Sequence, residues 1–100
     1  MEPEKDRSFG MELVKKLRIE NELGLHARAA AKIVALAGQY RASLFLKRED
    51  QEVEGSSILS ILTLACPRGT ELVARVTGED SEKLLSALSL LFEQKFGEGK

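Results

Sequence analysis

The 100-residue chain has no tryptophan, one tyrosine, one cysteine, one histidine and two prolines. Each shortage removes a class of answer. A single thiol, Cys66, cannot close an internal disulfide, which fits a reducing compartment. One histidine and one cysteine cannot supply a four-ligand zinc cage, so no metal site is expected. Aromatic residues are only 5% of the chain, so the core must be Leu, Ile, Val and Ala, and surfaces for base stacking are scarce. Neither sign of charge is in excess. Fifteen basic residues stand against 16 acidic ones, for a net charge of −1, which argues against a non-specific nucleic-acid binder. No apolar run approaches the roughly 20 residues that a membrane-spanning helix needs. The opening MEPEKDRSFG is charged and leads into no apolar segment that could serve as a signal. The expectation is a cytoplasmic protein with no nucleic-acid partner and no membrane insertion.

What is present suffices for one globular domain: 43% of the residues are apolar, in a chain of common single-domain size. Residues 1–10, with Pro3, Gly10 and mixed charge, read as a flexible extension. Residues 11–96 read as the domain and 97–100 as a disordered tail. MELVKKLRIE (11–20) places Leu13, Leu17 and Ile19 on one parity, as in a half-buried strand, with Lys15, Lys16 and Arg18 read as its solvated face. From Ala27 to Gln39, Ala30, Ile33, Val34 and Ala37 follow helical spacing, and Gly38 can end that helix. ASLFLK (42–47) and EVEG (52–55) flank a polar turn and read as a hairpin. Ser56 and Ser57 are good N-caps for ILSILTLA (58–65), whose apolar face would hold Ile58, Ile61, Leu62 and Ala65. Pro67 and Gly69 stop that helix, and TELVARV (70–76) is a strand. Asp80 or Ser81 would cap a last helix striped by Leu84, Leu85, Leu88, Leu91 and Phe92. The order β-α-β-β-α-β-α implies an α+β sandwich with a largely antiparallel sheet and the helices on one face.

The only imidazole stands in GLHARAAAKIV (24–34). Most lone histidines in small domains are surface or capping residues. Three local features move His26 from that default. Gly24 lets the backbone approach closely or turn sharply. The helix that follows offers unpaired N–H groups and the positive end of its dipole. Arg28 adds a fixed charge in a forked geometry. Such a place suits a phosphate. The positive surroundings also favour a neutral imidazole, which is a nucleophile able to take a phosphoryl group covalently.

The segment NELGLHARAAAKIVALA (21–37) resembles the active-site segment of the HPr family, the histidine-containing phosphocarriers of the bacterial sugar phosphotransferase system. Gly24, Leu25, His26, Ala27, Arg28 and Ala30 match its pattern. VEGSSILSILTLA (53–65), GTEL (69–72) and GEDSEKLLSAL (78–88) are similar to further family segments, so the likeness runs from about residue 11 to 92. It implies an open-faced sandwich with a four-stranded antiparallel sheet in the order 1-4-2-3 and three helices on one face. It also implies a carrier, not an independent enzyme, and one without a cofactor. Enzyme I would phosphorylate Nδ1 of His26, Arg28 would stabilise the phosphoryl oxygens, and an enzyme IIA component would receive the group. Ser57 aligns with the serine that HPr kinase/phosphorylase modifies. Leu25, Ile58, Leu59 and Leu62 are the expected docking surface, and the carrier is expected to be a monomer. The alternative within the family is a regulatory paralogue that acts on a transcriptional regulator through phosphorylated Ser57. An α+β nucleic-acid binder of ferredoxin-like kind is disfavoured, because Phe45 is the only aromatic in the well-defined strands. The chain departs from the pattern at Ala29, where proline is usual, and at Ser56, where a basic residue is common.

Overall fold

The computed structural model describes residues 12–99, so the expected extension over residues 1–10 lies outside the described residues. Strand β1 (Glu12–Arg18) leads through a loop to helix α1 (Ala27–Ala37). Strands β2 (Ser43–Arg48) and β3 (Gln51–Glu54) form the expected hairpin, turning at Glu49, whose φ is 54°. Then follow helix α2 (Ile58–Leu62), strand β4 (Glu71–Thr77), helix α3 (Ser81–Glu93) and a tight turn over Lys95–Gly97. All pairings are antiparallel and the sheet order is β1-β4-β2-β3.

Alternation sets which face of the sheet is covered. Leu17, Leu44, Leu46, Leu72, Ala74 and Val76 are buried beneath the helices, together with Ala30 and Ile33 of α1, Ile61 of α2 and Leu84, Leu88 and Phe92 of α3. On the open face one guanidinium ties the four strands together. Arg75 of β4 lies 4.2 Å over the ring of Phe45 in β2 and bonds Glu12 of β1 at 2.9 Å and Glu52 of β3 at 3.0 Å. The hydrogen bonds from Arg75 hold the Glu52 carboxyl below the usual glutamate range.

Four expectations change. Lys15 shares its parity with Leu13 and Leu17, so it does not join a solvated face with Lys16. At the sheet edge its Nζ reaches back to α3 and donates to Ser89 Oγ at 2.9 Å. Asp80 occupies the N-cap position of α3 without capping it, because its Oδ2 already accepts the Arg41 N–H at 2.8 Å. Helix α2 is a single turn that ends at Leu62. The chain then passes through a left-handed Ala65 (φ 51°), which buries Leu64 and leaves Ala65 exposed.

The fourth change concerns the end of the chain. Gly97 and Glu98, expected in a disordered tail, are placed against the domain. The cause is Phe96, which is fully buried with its ring centroid 4.9 Å from that of Phe92. Lys95 and Phe96 adopt left-handed φ values of 56° and 58°, unfavourable without glycine, and a buried aromatic anchor is the kind of constraint that sustains them.

Leu46 is fully buried on a central strand. Leu46→Ala is expected to destabilise the domain by about 2–5 kcal/mol through lost burial and the cavity left behind. Urea denaturation of both proteins measures the difference.

Candidate functional site

The site is built where the loop 19–26 crosses the loop that follows α2. Ile19 N–H donates to Thr70 O and Leu25 N–H to Cys66 O, each at 2.9 Å, so the two loops run as a clasp. Gly24 makes the crossing possible. Its φ is +73°, and a Cβ there would lie 2.7 Å from Cys66 O and 3.0 Å from Pro67 Cα. Neither the conformation nor the space admits a side chain.

Beyond the clasp, His26 is the N-cap of α1, with extended backbone (φ −86°, ψ −179°). Its Nδ1 accepts the Arg28 backbone N–H at 3.2 Å. A ring nitrogen that accepts carries no proton, so the neutral ring holds its proton on Nε2. The Nδ1 lone pair therefore faces the first turn of α1. There the N–H groups of Ala27 and Ala29 have no backbone acceptor among the described residues. The Arg28 side chain is exposed to solvent. The arrangement is a nucleophilic nitrogen aimed at the backbone donors and positive dipole end of a helix, which suits a phosphoryl group.

The other ring nitrogen is also occupied, by a residue the sequence reading did not single out. His26 Nε2 is bonded to Glu98 Oε2, and Asn21 Nδ2 donates to Glu98 Oε1 at 2.9 Å and to Gly24 O at 2.8 Å. The His26 and Glu98 side chains are 26% and 17% exposed. The hydrogen bonds from His26 and Asn21, with the positive charge of Lys32, hold the Glu98 carboxyl below its usual range despite partial burial. Lys32 Nζ also donates to Phe96 O, fastening the turn that carries Glu98. The available signal was an aromatic followed by glycine and a carboxylate, Phe96-Gly97-Glu98, just beyond the last helix.

The remaining candidates separate. Ser57 caps α2 as expected, its Oγ accepting the Ser60 N–H at 3.2 Å, and no hydrogen bond joins it to His26 among the described residues. Leu59 is 77% exposed and Ile58 37%, while Leu62 is half-buried. Leu25 is corrected: at 5% exposure it belongs to the core, because the clasp to Cys66 turns its side chain inward. Cys66 is buried as a small packed residue, and burial pushes its thiol pKa up, away from reactivity. Among the described residues no cluster of metal-ligating side chains occurs, and no helix is long and apolar enough to cross a membrane.

Known proteins resemble this chain over most of its length. The family model described as "PTS HPr component phosphorylation site" matches residues 13–94. The phosphocarrier protein HPr of Xylella fastidiosa is 40% identical over 83 residues, covering 83% of this chain and 93% of that protein. The phosphocarrier protein HPr of Pseudomonas aeruginosa is 41% identical over 86 residues, covering 85% and 96%. The crystal structure of HPr-C-His from Thermoanaerobacter tengcongensis superposes with a TM-score of 0.79 at 32% identity, covering 88% of this chain and 99% of that one.

Gly24→Ala is expected to cost roughly 1–3 kcal/mol, the range for a side chain forced into a strained backbone region. It should also weaken the His26 cap. Urea denaturation checks the first effect and the amide chemical shift of Arg28 the second.

Proposed function

Because the chain belongs to the HPr family of phosphotransferase-system phosphocarriers, we propose that it takes a phosphoryl group from enzyme I on Nδ1 of His26 and delivers it to an enzyme IIA domain. The observation that carries this reading is the bond from Arg28 N–H to His26 Nδ1, which presents the nitrogen lone pair to the helix start. In the transfer, the Nδ1–P bond forms as the bond from phosphorus to the donor nitrogen breaks, and the electron pair leaves with the donor. The phosphoryl oxygens take over the Arg28 N–H, gain the free N–H groups of the first turn, and meet the Arg28 guanidinium. Transfer through a loose transition state requires mainly such positioning and charge stabilisation. The reverse sequence discharges the group to the acceptor, and no cofactor enters either step. The carrier acts as a cytoplasmic monomer that docks through Ile58, Leu59 and Leu62, since Leu59 in particular is an apolar side chain left in water.

A second role rests on Ser57. Its hydroxyl opens α2 immediately before Ile58 and Leu59, so a phosphate added there by an HPr kinase/phosphorylase would put about two negative charges at the edge of that docking surface. A transcriptional regulator that reads phosphorylated Ser57 would be the corresponding partner.

His26→Ala should abolish labelling by enzyme I and radioactive phosphoenolpyruvate while the protein stays folded; continued labelling at the wild-type level would exclude the carrier mechanism. Arg28→Ala should slow transfer on the order of 10²-fold, as loss of a fixed donor at developing charge does in favourable cases, with little change in stability because the side chain is exposed. Rapid-quench kinetics separates the two effects. Ser57→Asp should keep the fold, since aspartate is a competent cap, and should weaken binding of enzyme I in calorimetric titrations. Equal affinity across a range of salt would place Ser57 outside the interface.

A further inference from the structure

We propose that Glu98 is a positioning residue for transfer at His26: its carboxylate accepts the Nε2–H, selects the tautomer whose Nδ1 lone pair faces α1, and pairs with the charge the ring gains on phosphorylation. The proposal rests on the phosphocarrier reading and adds to it a residue beyond the 13–94 span that the family model matches.

Three observations combine. The first is division of labour on the ring. Nδ1 accepts from Arg28 N–H, so the proton of the neutral ring is on Nε2, and the Glu98 carboxylate is the acceptor it finds. A ring flip or the opposite tautomer would give up both bonds. The second is that Glu98 is itself held. Asn21 is buried, and its amide donates simultaneously to Glu98 Oε1 at 2.9 Å and Gly24 O at 2.8 Å. Turning that amide over would set its carbonyl oxygen against two acceptors, so the amide orientation is fixed. The third is how Glu98 arrives. The left-handed residues Lys95 and Phe96, followed by Gly97 at φ +79°, reverse the chain after α3. A Cβ on Gly97 would approach Lys32 Nζ to 3.2 Å. Phe96 is fully buried and anchors the reversal. A surface carboxylate meeting a histidine by chance would not require a buried aromatic, a strained turn and a buried amide to hold it.

The chemistry gives the contact a purpose. When the Nδ1–P bond forms and the donor departs with its electron pair, Nε2 keeps its proton and the ring becomes a phosphorylated imidazolium. Its positive charge then faces the Glu98 carboxylate, so donor and acceptor are both charged and the bond is stronger than the resting one from a neutral ring to the same carboxylate. Keeping Nε2 protonated also keeps the ring a good leaving group for onward transfer. A neutral partner at position 98 preserves the tautomer and loses this charge term.

The test uses Glu98→Gln and Glu98→Ala in the full chain, with phosphoramidate as a small chemical donor and enzyme I as the protein donor. Ring ¹⁵N shifts of the unphosphorylated proteins report the tautomer. Wild type and Glu98→Gln should show Nε2–H alone, and Glu98→Ala a mixture of tautomers. Transfer from both donors should slow by roughly tenfold in Glu98→Gln, the difference between a charge-assisted and a neutral hydrogen bond, and further in Glu98→Ala. Hydrolysis of the phosphohistidine, followed by ³¹P NMR, should be slower in Glu98→Gln than in wild type. A merely structural role would alter stability without this pattern. Wild-type labelling with unchanged tautomer and rates in Glu98→Ala overturns the role of Glu98 alone. Failure of the wild-type protein to form phosphohistidine with either donor overturns the phosphocarrier reading, and this proposal with it.

Discussion

The close approach of Gly24 to the carbonyl of Cys66 is the constraint on which the site depends. Only a residue without a Cβ lets the two backbones come this near. The same carbonyl then accepts Leu25 N–H at 2.9 Å, which drives Leu25 into the core and leaves His26 as the first residue free of the clasp. The far side of the clasp is shaped in turn by the sheet. Arg48, at the end of β2, donates to Leu64 O at 2.9 Å and also to Ala65 O, fixing the left-handed turn that delivers Cys66. A small, buried and unreactive thiol suits that position, where a larger side chain would press on the core. Sheet, turn, clasp and histidine thus form one mechanical series, and the orientation of the imidazole is inherited from β2 as much as from its own helix.

At the imidazole two opposite electrostatic demands meet without conflict. The helix start favours an anion at Nδ1. A carboxylate beside the same ring would be expected to repel that anion, yet Glu98 bonds the opposite nitrogen and is itself drawn toward Lys32 and the Asn21 amide. The planar ring separates the two negative partners while coupling them through its own charge: an anion gained on one nitrogen makes the other a better donor. In the proposed transfer the Glu98 contact would already match the charge that the ring gains, and the Arg28 N–H would pass from Nδ1 to the incoming oxygens.

Much of this was legible in the sequence, and the illegible parts have physical reasons. Leu44 and Leu46 announce their inward face by strict alternation, and Ala30 and Ile33 theirs by helical spacing, because burial and periodicity are local properties. That His26 opens a helix was readable from Gly24 and the alanine-rich run that follows. Lys15 was misread because an edge strand lets a long side chain on the inner parity reach out past the core to Ser89. Leu25 was misplaced because loop backbone, not periodicity, decides where it points. Glu98 went unseen for the deepest reason. Its position depends on Lys95 and Phe96 adopting left-handed backbone, which intrinsic preference disfavours and only tertiary burial of Phe96 sustains.

Ala29 shows how a departure from a family pattern can be absorbed. Proline there would fix φ and delete an N–H at a helix start, where that donor has no intrahelical partner in any case. Alanine gives up the fixed φ and retains the donor. In this fold the lost rigidity is supplied by packing, because the Ala29 methyl is fully buried in the same core cluster as Ala30 and Ile33. The retained N–H, without a backbone acceptor among the described residues, joins those of Ala27 and Arg28 at the end of the helix toward which Nδ1 of His26 points. The substitution thus exchanges pre-organisation by covalent ring for pre-organisation by burial, and leaves the first turn with one more N–H donor than proline would allow.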